Sequence, residues 1–140
     1  MKKLWLSILL SAQLLAFDTE TAAKIFDKIF TAMYIQKPIA VYTVSEKYQD
    51  VVVTATSLQL SKNPKLADIV LVDSKYEIPK EGNHIIFTTD PSVFKRNENA
   101  VGAFYWEHGR PKIIFLQSRL KTKGITITNA FQRYIVREIP

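Results

Sequence analysis

The sequence has 140 residues, of which 47% are hydrophobic and 23% charged, and this balance is typical of one small globular domain rather than a disordered or fibrous chain. It contains no cysteine, which excludes disulfides, thiolate catalysis, zinc–thiolate sites and attachment of a lipid to cysteine. The formal net charge of +6 is spread thinly along the chain, so we do not expect a nucleic-acid partner.

The N-terminal segment MKKLWLSILLSAQLLA joins two lysines to a short apolar run. A helix that crosses a hydrocarbon core of about 30 Å needs roughly 20 apolar residues, more than this run supplies. A positive end followed by a short apolar segment is typical of a secretory signal peptide. We therefore expect residues 1–16 to be a signal peptide and residues 17–140 to form one exported domain; an uncleaved membrane anchor is the alternative.

A helix and a strand are predicted at the start of the domain. Apolar residues recur at spacings of three and four, which predicts a helix that begins at Asp18 or Thr19. The residues of its apolar face are Ala22, Ile25, Phe26, Ile29, Phe30 and Met33. Residues 39–44, IAVYTV, follow Pro38 and are β-branched or aromatic, as in a buried central strand.

The next segment, residues 46–55, fits two structures. Its apolar spacing after Ser45 favours a short helix, whereas VVVTAT has strand propensity. We prefer the helix, followed by a short strand over residues 58–60.

Two nearly unbroken apolar runs follow, ADIVLVD (67–73) and HIIFTTD (84–90). Such strands are typical of a parallel sheet that is covered on both faces. The polar residues 74–83 between them predict a loop with at most one helical turn, and Asp90 with Pro91 predicts a short helix before an exposed loop. The expected fold is a small α/β sandwich: a mixed, mainly parallel sheet with helices on both faces.

The C-terminal third is predicted to add an antiparallel hairpin. VGAFYW (101–106) and KIIFLQ (112–117) flank the short polar link EHGRP, and Pro111 favours a sheet edge or a strand start. SRLKTKG predicts a brief helix that ends at Gly124. Residues 125–139 predict an extended stretch and then a helix capped by Thr128. Its expected inward residues are Phe131, Tyr134, Ile135 and Ile139.

No residue pattern dictates a reaction. His84 and His108 lack metal-binding spacing, and the four isolated glycines form no phosphate-binding loop, so we expect neither metal nor cofactor. Asp73 and Asp90 follow predicted strands, and the carboxyl ends of parallel strands are where ligands bind in open α/β sheets. The two aspartates are therefore candidates for a ligand crevice, or else simple turn and helix caps.

Candidates for partner recognition lie near the hairpin. Alternation along the strand sends Phe104 and Trp106 to one face, and exposed aromatics and arginines such as Arg110 are frequent in protein interfaces. Arg119 lies in a basic segment that forms either a docking patch or a solvated face. No catalytic constellation is visible, so we do not expect an enzyme; hydrolysis through an aspartate is the least implausible chemistry.

Residues 109–135, GRPKIIFLQSRLKTKGITITNAFQRYI, resemble the C-terminal signature of the YfiR-like periplasmic proteins, in which a hairpin strand precedes a patterned apolar line. The positions that match the family's apolar or glycine positions are Ile114, Phe115, Leu120, Gly124, Ile125, Ile127, Phe131 and Ile135. The order of the first helix, residues 39–44 and residues 67–73 is also similar. The chain departs from the family in having no cysteine and in carrying IQKP where Trp-Pro is usual.

The resemblance implies a compact α/β domain that binds and restrains the periplasmic part of an inner-membrane signalling protein. That partner is typically a diguanylate cyclase; a histidine kinase is a related expectation. We expect contact with the membrane only through this partner, and a homodimer is left open. A small solute-binding domain, with its ligand at Asp73 and Asp90, is the alternative function.

Overall fold

The structure is a computed structural model that describes residues 18–34, 36 and 38–140. The predicted signal peptide, residues 1–16, lies outside the described residues. Within the described residues, no helix has the length and apolar character needed to cross a membrane.

The described chain alternates helices and strands. The α-helices are α1 (Thr19–Met33), α2 (Glu46–Thr54), α3 (Pro91–Arg96) and α4 (Gln117–Thr122). The strands are β1 (Ile39–Tyr42), β2 (Leu58–Leu60), β3 (Ile69–Val72), β4 (Ile86–Thr88), β5 (Ala100–Glu107), β6 (Arg110–Leu116) and β7 (Ile135–Val136). Three short 3-10 helices complete the described part of the chain: η1 (Pro64–Leu66), η2 (Lys75–Glu77) and η3 (Asn129–Tyr134).

The seven strands form one sheet in the order β2-β1-β3-β4-β5-β6-β7. Strands β1 to β5 run parallel, β6 turns back antiparallel to β5, and β7 runs parallel to β6. The structure thus confirms the expected α/β fold with a mainly parallel sheet and a C-terminal hairpin.

Both faces of the sheet are buried, as the unbroken apolar runs predict. Ile69 and Leu71 of β3 pack into the core beneath α1 and α2, whereas Val70 and Val72 pack into a second core beneath α3. All four side chains are at most 1% exposed. Alternate side chains of β3 therefore contribute to two different cores, and helices cover both faces of the sheet.

An aromatic cluster centred on α1 holds the larger core together. The ring of Phe26 lies 5.6 Å from Phe30, 5.7 Å from Tyr48, 6.1 Å from Phe87 and 5.6 Å from Phe104, mostly edge to face. Asp18 caps this helix, accepting from the backbone N–H of Glu20 and Thr21. The apolar face of α1 thus packs against the sheet.

Several predicted boundaries shift. Strand β1 ends at Tyr42 rather than at residue 44. Residues 46–54 form helix α2, so the preferred alternative holds there. The exposed loop expected after the Asp90–Pro91 helix, KRNENA (95–100), is wrong at both ends, because Lys95 and Arg96 belong to α3 and Ala100 begins β5 as a fully buried residue.

The predicted C-terminal helix is wrong. Residues 129–134 form η3, and Ile135 and Val136 then pair with Phe115 and Leu116 at the outer edge of β6. The two residues are β-branched and meet unpaired backbone groups of an edge strand, which favours pairing over another helical turn. The expected inward residues are still partly buried: Phe131, Tyr134 and Ile135 against the larger core, and Ile139 against the second one.

Candidate functional site at the carboxyl edge of the sheet

The parallel strands β1, β3, β4 and β5 end at one side of the sheet, which we call the carboxyl edge. Strand β1 connects outward to β2, whereas β3 connects to β4 on its other side. The strand order therefore reverses between β1 and β3. In open α/β sheets a crevice forms at such a switch point, and ligands bind there.

Asp73 lies at this switch point. Val72 is opposite Thr88 in the sheet, so the next residues, Asp73 and Thr89, are neighbours. The Thr89 hydroxyl donates a hydrogen bond to Asp73 Oδ1. The backbone N–H of Asp73 donates to Glu77 Oε1 at 2.7 Å, which holds η2 against the end of β3.

Tyr48 of α2 lies next to this group of side chains. Burial raises the pKa of the Tyr48 phenol, a hydrogen bond with Thr89 opposes the shift, and the charges of Asp73 and Glu77 add to it. Tyr48, Asp73, Glu77 and Thr89 therefore face one another, and we call them the Asp73 cluster.

Asp90 is not part of this group. Its carboxylate accepts from the backbone N–H of Ser92 at 2.8 Å and caps α3, and its own N–H donates to the Thr88 hydroxyl at 3.0 Å. For Asp90 the geometry is therefore that of the helix-cap alternative. The neighbour that meets Asp73 is Thr89, one residue earlier.

Thr43 lies at the same edge of the sheet. It follows β1, is 3% exposed, and its Oγ1 is the one buried side-chain polar atom of the described residues without a hydrogen-bond partner. Its carbonyl accepts from Gln49 Nε2 at 2.9 Å, so α2 packs over it. The sequence analysis does not identify Thr43, Tyr48, Glu77 and Thr89 as candidate site residues. Thr43 and Thr89 could have been found, because each is a polar residue directly after an apolar strand.

The stretch FYWEHGRPK forms the predicted hairpin. His108 and Gly109 make its two-residue turn with φ of 53° and 75°, the pair of positive values that a type I′ turn requires. Glu107 and Arg110 form the last strand pair, both exposed, and Lys112 Nζ lies 3.5 Å from Glu107 Oε2. These polar residues are a solvated turn.

The two aromatics that alternation assigns to one face have different surroundings. Phe104 is 8% exposed because Phe26 of α1 packs against it, so its ring is unavailable to a partner. Trp106 is 66% exposed. The reason is length: β4 ends at Thr88 opposite Ala103, whereas β5 continues to Glu107, about 13 Å farther.

Within the described part of the chain, Trp106 is one of three large apolar side chains that are exposed at the carboxyl edge. Val44 follows β1 and is 47% exposed, and Tyr76 of η2 follows β3 and is 86% exposed. We call Val44, Tyr76 and Trp106 the apolar rim. The other strongly exposed apolar residues of the described chain, Val53 and Leu66, lie elsewhere, on α2 and η1.

Arg119 binds its own chain rather than facing solvent as a docking residue. Its guanidinium donates to the carbonyls of Phe94, Ala100 (2.9 Å) and Lys95 (3.4 Å), and it stacks on the Phe94 ring at 5.3 Å. Burial lowers the pKa of this guanidinium. Arg119 therefore ties α4 to the end of α3 and the start of β5.

A separate cavity of about 340 Å³ lies between α1 and the end of α2. Its lining mixes both charge signs, with Lys24, Asp27 and Lys28 from α1 and Thr54 from α2. Asp27 is already engaged, accepting from the Ser57 N–H at 2.7 Å. Among the residues described here, no group of three or more His, Cys, Asp or Glu side chains can hold a metal ion.

Comparison with known proteins gives no assignment. No protein-family model, no curated protein and no solved structure matches this chain.

Proposed function

We propose that this protein is a non-enzymatic regulatory adaptor that binds the periplasmic part of an inner-membrane signalling protein, a diguanylate cyclase or a histidine kinase. The supporting observation is the apolar rim at the carboxyl edge. The leader-like N-terminus and the resemblance to YfiR-like proteins support export and the type of partner.

The rim has the features of a contact surface. Tryptophan and tyrosine are enriched among the residues that dominate binding energy, and Trp106 and Tyr76 each expose about two thirds or more of their surface. Folding gains little from leaving these rings in water. Burial of Trp106 and Tyr76 against a partner protein therefore gives a reason for their exposed positions.

The hairpin presents Trp106 in a defined orientation. Trp106 pairs with Pro111 on the same face of the hairpin, and the type I′ turn matches the twist of the two strands. A rigid aromatic side chain loses little entropy on binding. Arg110, exposed beside the turn, supplies a positive charge at the border of the surface.

The direct test is capture from detergent-solubilised inner membranes with the full chain carrying a C-terminal tag. The expected result is recovery of a cyclase or a kinase, identified by mass spectrometry, and loss of that protein with Trp106→Ala or Tyr76→Ala. Repeated recovery of no signalling protein contradicts the proposal.

Leu66→Ala is the matched control, because Leu66 is 77% exposed but belongs to η1 rather than to the rim. It removes a comparable exposed apolar side chain and is expected to leave capture unchanged. If Leu66→Ala weakens capture as much as Trp106→Ala does, binding is nonspecific and the rim has no special role.

The second candidate function, a small solute-binding domain, is favoured by the Asp73 cluster at the switch point between β1 and β3. A solute that binds only the folded protein raises its melting temperature. Thermal-shift screening against periplasmic metabolites tests this candidate, and the absence of any shift across a broad library counts against it.

A further inference from the structure

We propose that the Asp73 cluster binds a solute that carries a primary ammonium group joined to an apolar body. The proposal rests on the solute-binding candidate rather than on the adaptor role, and it specifies the ligand class.

The first observation is the charge and chemistry of the site. Asp73 and Glu77 bring two carboxylates to the switch point, and their charges act on the same phenol, that of Tyr48. All the side-chain atoms offered here are oxygens. Two carboxylates favour a cation over an anion by Coulomb's law, and among the described residues no group of three or more His, Cys, Asp or Glu side chains can hold a metal ion.

The second observation is the unpartnered hydroxyl of Thr43. Buried polar groups are hydrogen-bonded in folded proteins, so a buried orphan at a crevice indicates a missing partner. The last pairs of β1 with β3 are Val41 with Ile69 and Tyr42 with Val70; continuing this register by one residue puts Thr43 beside Leu71, one row below Asp73 on the same face. Alternation from Val41, which is buried in the α1–α2 core, sends the Thr43 side chain to the face on which the cluster lies.

The spacing suits one small group between these residues. Diagonal neighbours on one face of a sheet are about 8 Å apart at Cα, which leaves room for one small group between their polar ends. An ammonium group has three N–H donors and no acceptor. Asp73, Glu77 and Thr43 supply three acceptors for them.

The apolar body is assigned from the residues at the mouth of the crevice. Tyr76 directly precedes Glu77 and is 86% exposed, so an exposed apolar side chain adjoins the carboxylates. A ligand whose head group reaches Asp73 and Glu77 therefore covers Tyr76 with the atoms behind it. Tyr76 belongs to the apolar rim, so an occupied crevice changes the surface that the adaptor offers to its partner.

The test is a two-dimensional NMR titration of the purified, isotope-labelled protein, obtained by expression of the full chain, with 2-phenylethylammonium chloride as the probe. The expected result is saturable shifts at the amides of Thr43, Asp73 and Thr89. The neutral match, 2-phenylethanol, has the same apolar body without the charge and is expected to bind about 10- to 100-fold more weakly, as is usual when a charge-assisted hydrogen bond is lost.

Variants locate the binding. Asp73→Asn is expected to weaken binding of the ammonium probe about 10- to 100-fold, and Thr43→Val by a smaller factor. Asp90→Asn, which changes the nearby carboxylate that caps α3, is expected to leave binding of the probe unchanged. If Asp73→Asn does not fold, as judged by its spectrum without probe, Glu77→Gln takes its place. Thr43→Val removes a buried hydroxyl without changing the shape of the side chain.

Three results overturn the proposal: no saturable shift up to the solubility limit of the probe, equal affinity for the alcohol, or shifts confined to the cavity between α1 and α2. None of them bears on partner capture by Trp106, which is measured separately. Conversely, loss of the adaptor role leaves the titration intact. Binding of a different class of solute at the cluster supports the solute-binding candidate and rejects the ammonium assignment.

Discussion

Phe104 and Trp106 lie two residues apart on one face of β5, and we expect alanine substitution to affect stability very differently at the two positions. Phe104 is 8% exposed and packs against Phe26, whereas Trp106 is 66% exposed. Phe104→Ala removes a ring from a closed core. Trp106→Ala removes a ring that already lies mostly in water.

The magnitudes follow from burial. Truncation of a buried phenylalanine to alanine costs about 3–5 kcal/mol, which includes the cavity left behind. For Trp106, about a third of a side chain of roughly 250 Å² is covered, so about 80 Å² of surface at about 25 cal/mol per Å² gives about 2 kcal/mol. That value is an upper bound, since the unfolded chain already buries part of this surface.

Urea unfolding followed by circular dichroism measures both free energies of unfolding by linear extrapolation. We expect Phe104→Ala to be the less stable variant by about 2 kcal/mol. In the capture experiment, Trp106→Ala remains folded and loses the partner. Equal destabilisation of the two variants refutes the assignment of one ring to the core and the other to the surface.

Three further predictions concern the fold. Gly102→Ala places a Cβ 2.7 Å from Phe115 Cδ1, so we expect a loss of about 1–3 kcal/mol in urea unfolding, and wild-type stability contradicts the close packing. Arg119→Met leaves the carbonyls of Phe94, Lys95 and Ala100 without their donor and is expected to lower the free energy of unfolding by about 2 kcal/mol. Arg119→Lys is expected to restore only part of that stability, because an ammonium lacks the planar fork of a guanidinium. Burial, with a smaller effect of a nearby carboxylate, raises the pKa of Tyr34 from 10.0 to about 12. Its stabilising contribution is therefore complete below pH 10 and lost as the pH rises toward 12, and a difference titration of tyrosinate absorbance against Tyr34→Phe must show one tyrosine ionising late.

Much of the architecture could be predicted because hydrophobic patterning carries it. The unbroken apolar runs that contain β3 and β4 predict strands buried on both faces, and both have that environment. Turn chemistry was equally informative, since His108 and Gly109 form the hairpin turn. The C-terminal segment was mispredicted because its state depends on an open edge of β6, a tertiary feature that local spacing does not encode.

The candidate site was less accessible to sequence reasoning. Asp73 was found because it follows a recognisable strand, but its contact with Thr89 depends on the register between β3 and β4, and that of Tyr48 on how α2 packs. Alternation assigned Phe104 to the correct face without revealing that a helix covers it. Hydrophobic periodicity and residue propensity predict which face of a strand or helix a side chain occupies. How deeply that side chain is buried depends on residues far away in the sequence.

The β5–β6 hairpin has a consequence for how the chain acquires its structure. It joins strands that are adjacent in sequence through a two-residue turn, whereas the pairings among β1, β3, β4 and β5 bring together segments separated by longer loops and helices. Closing a short loop loses little chain entropy and hairpins form within about 1–10 μs, well before non-local parallel strands can pair. We therefore expect the hairpin to form first, and the other edge of the strand that carries Phe104 and Trp106 then to pair with β4.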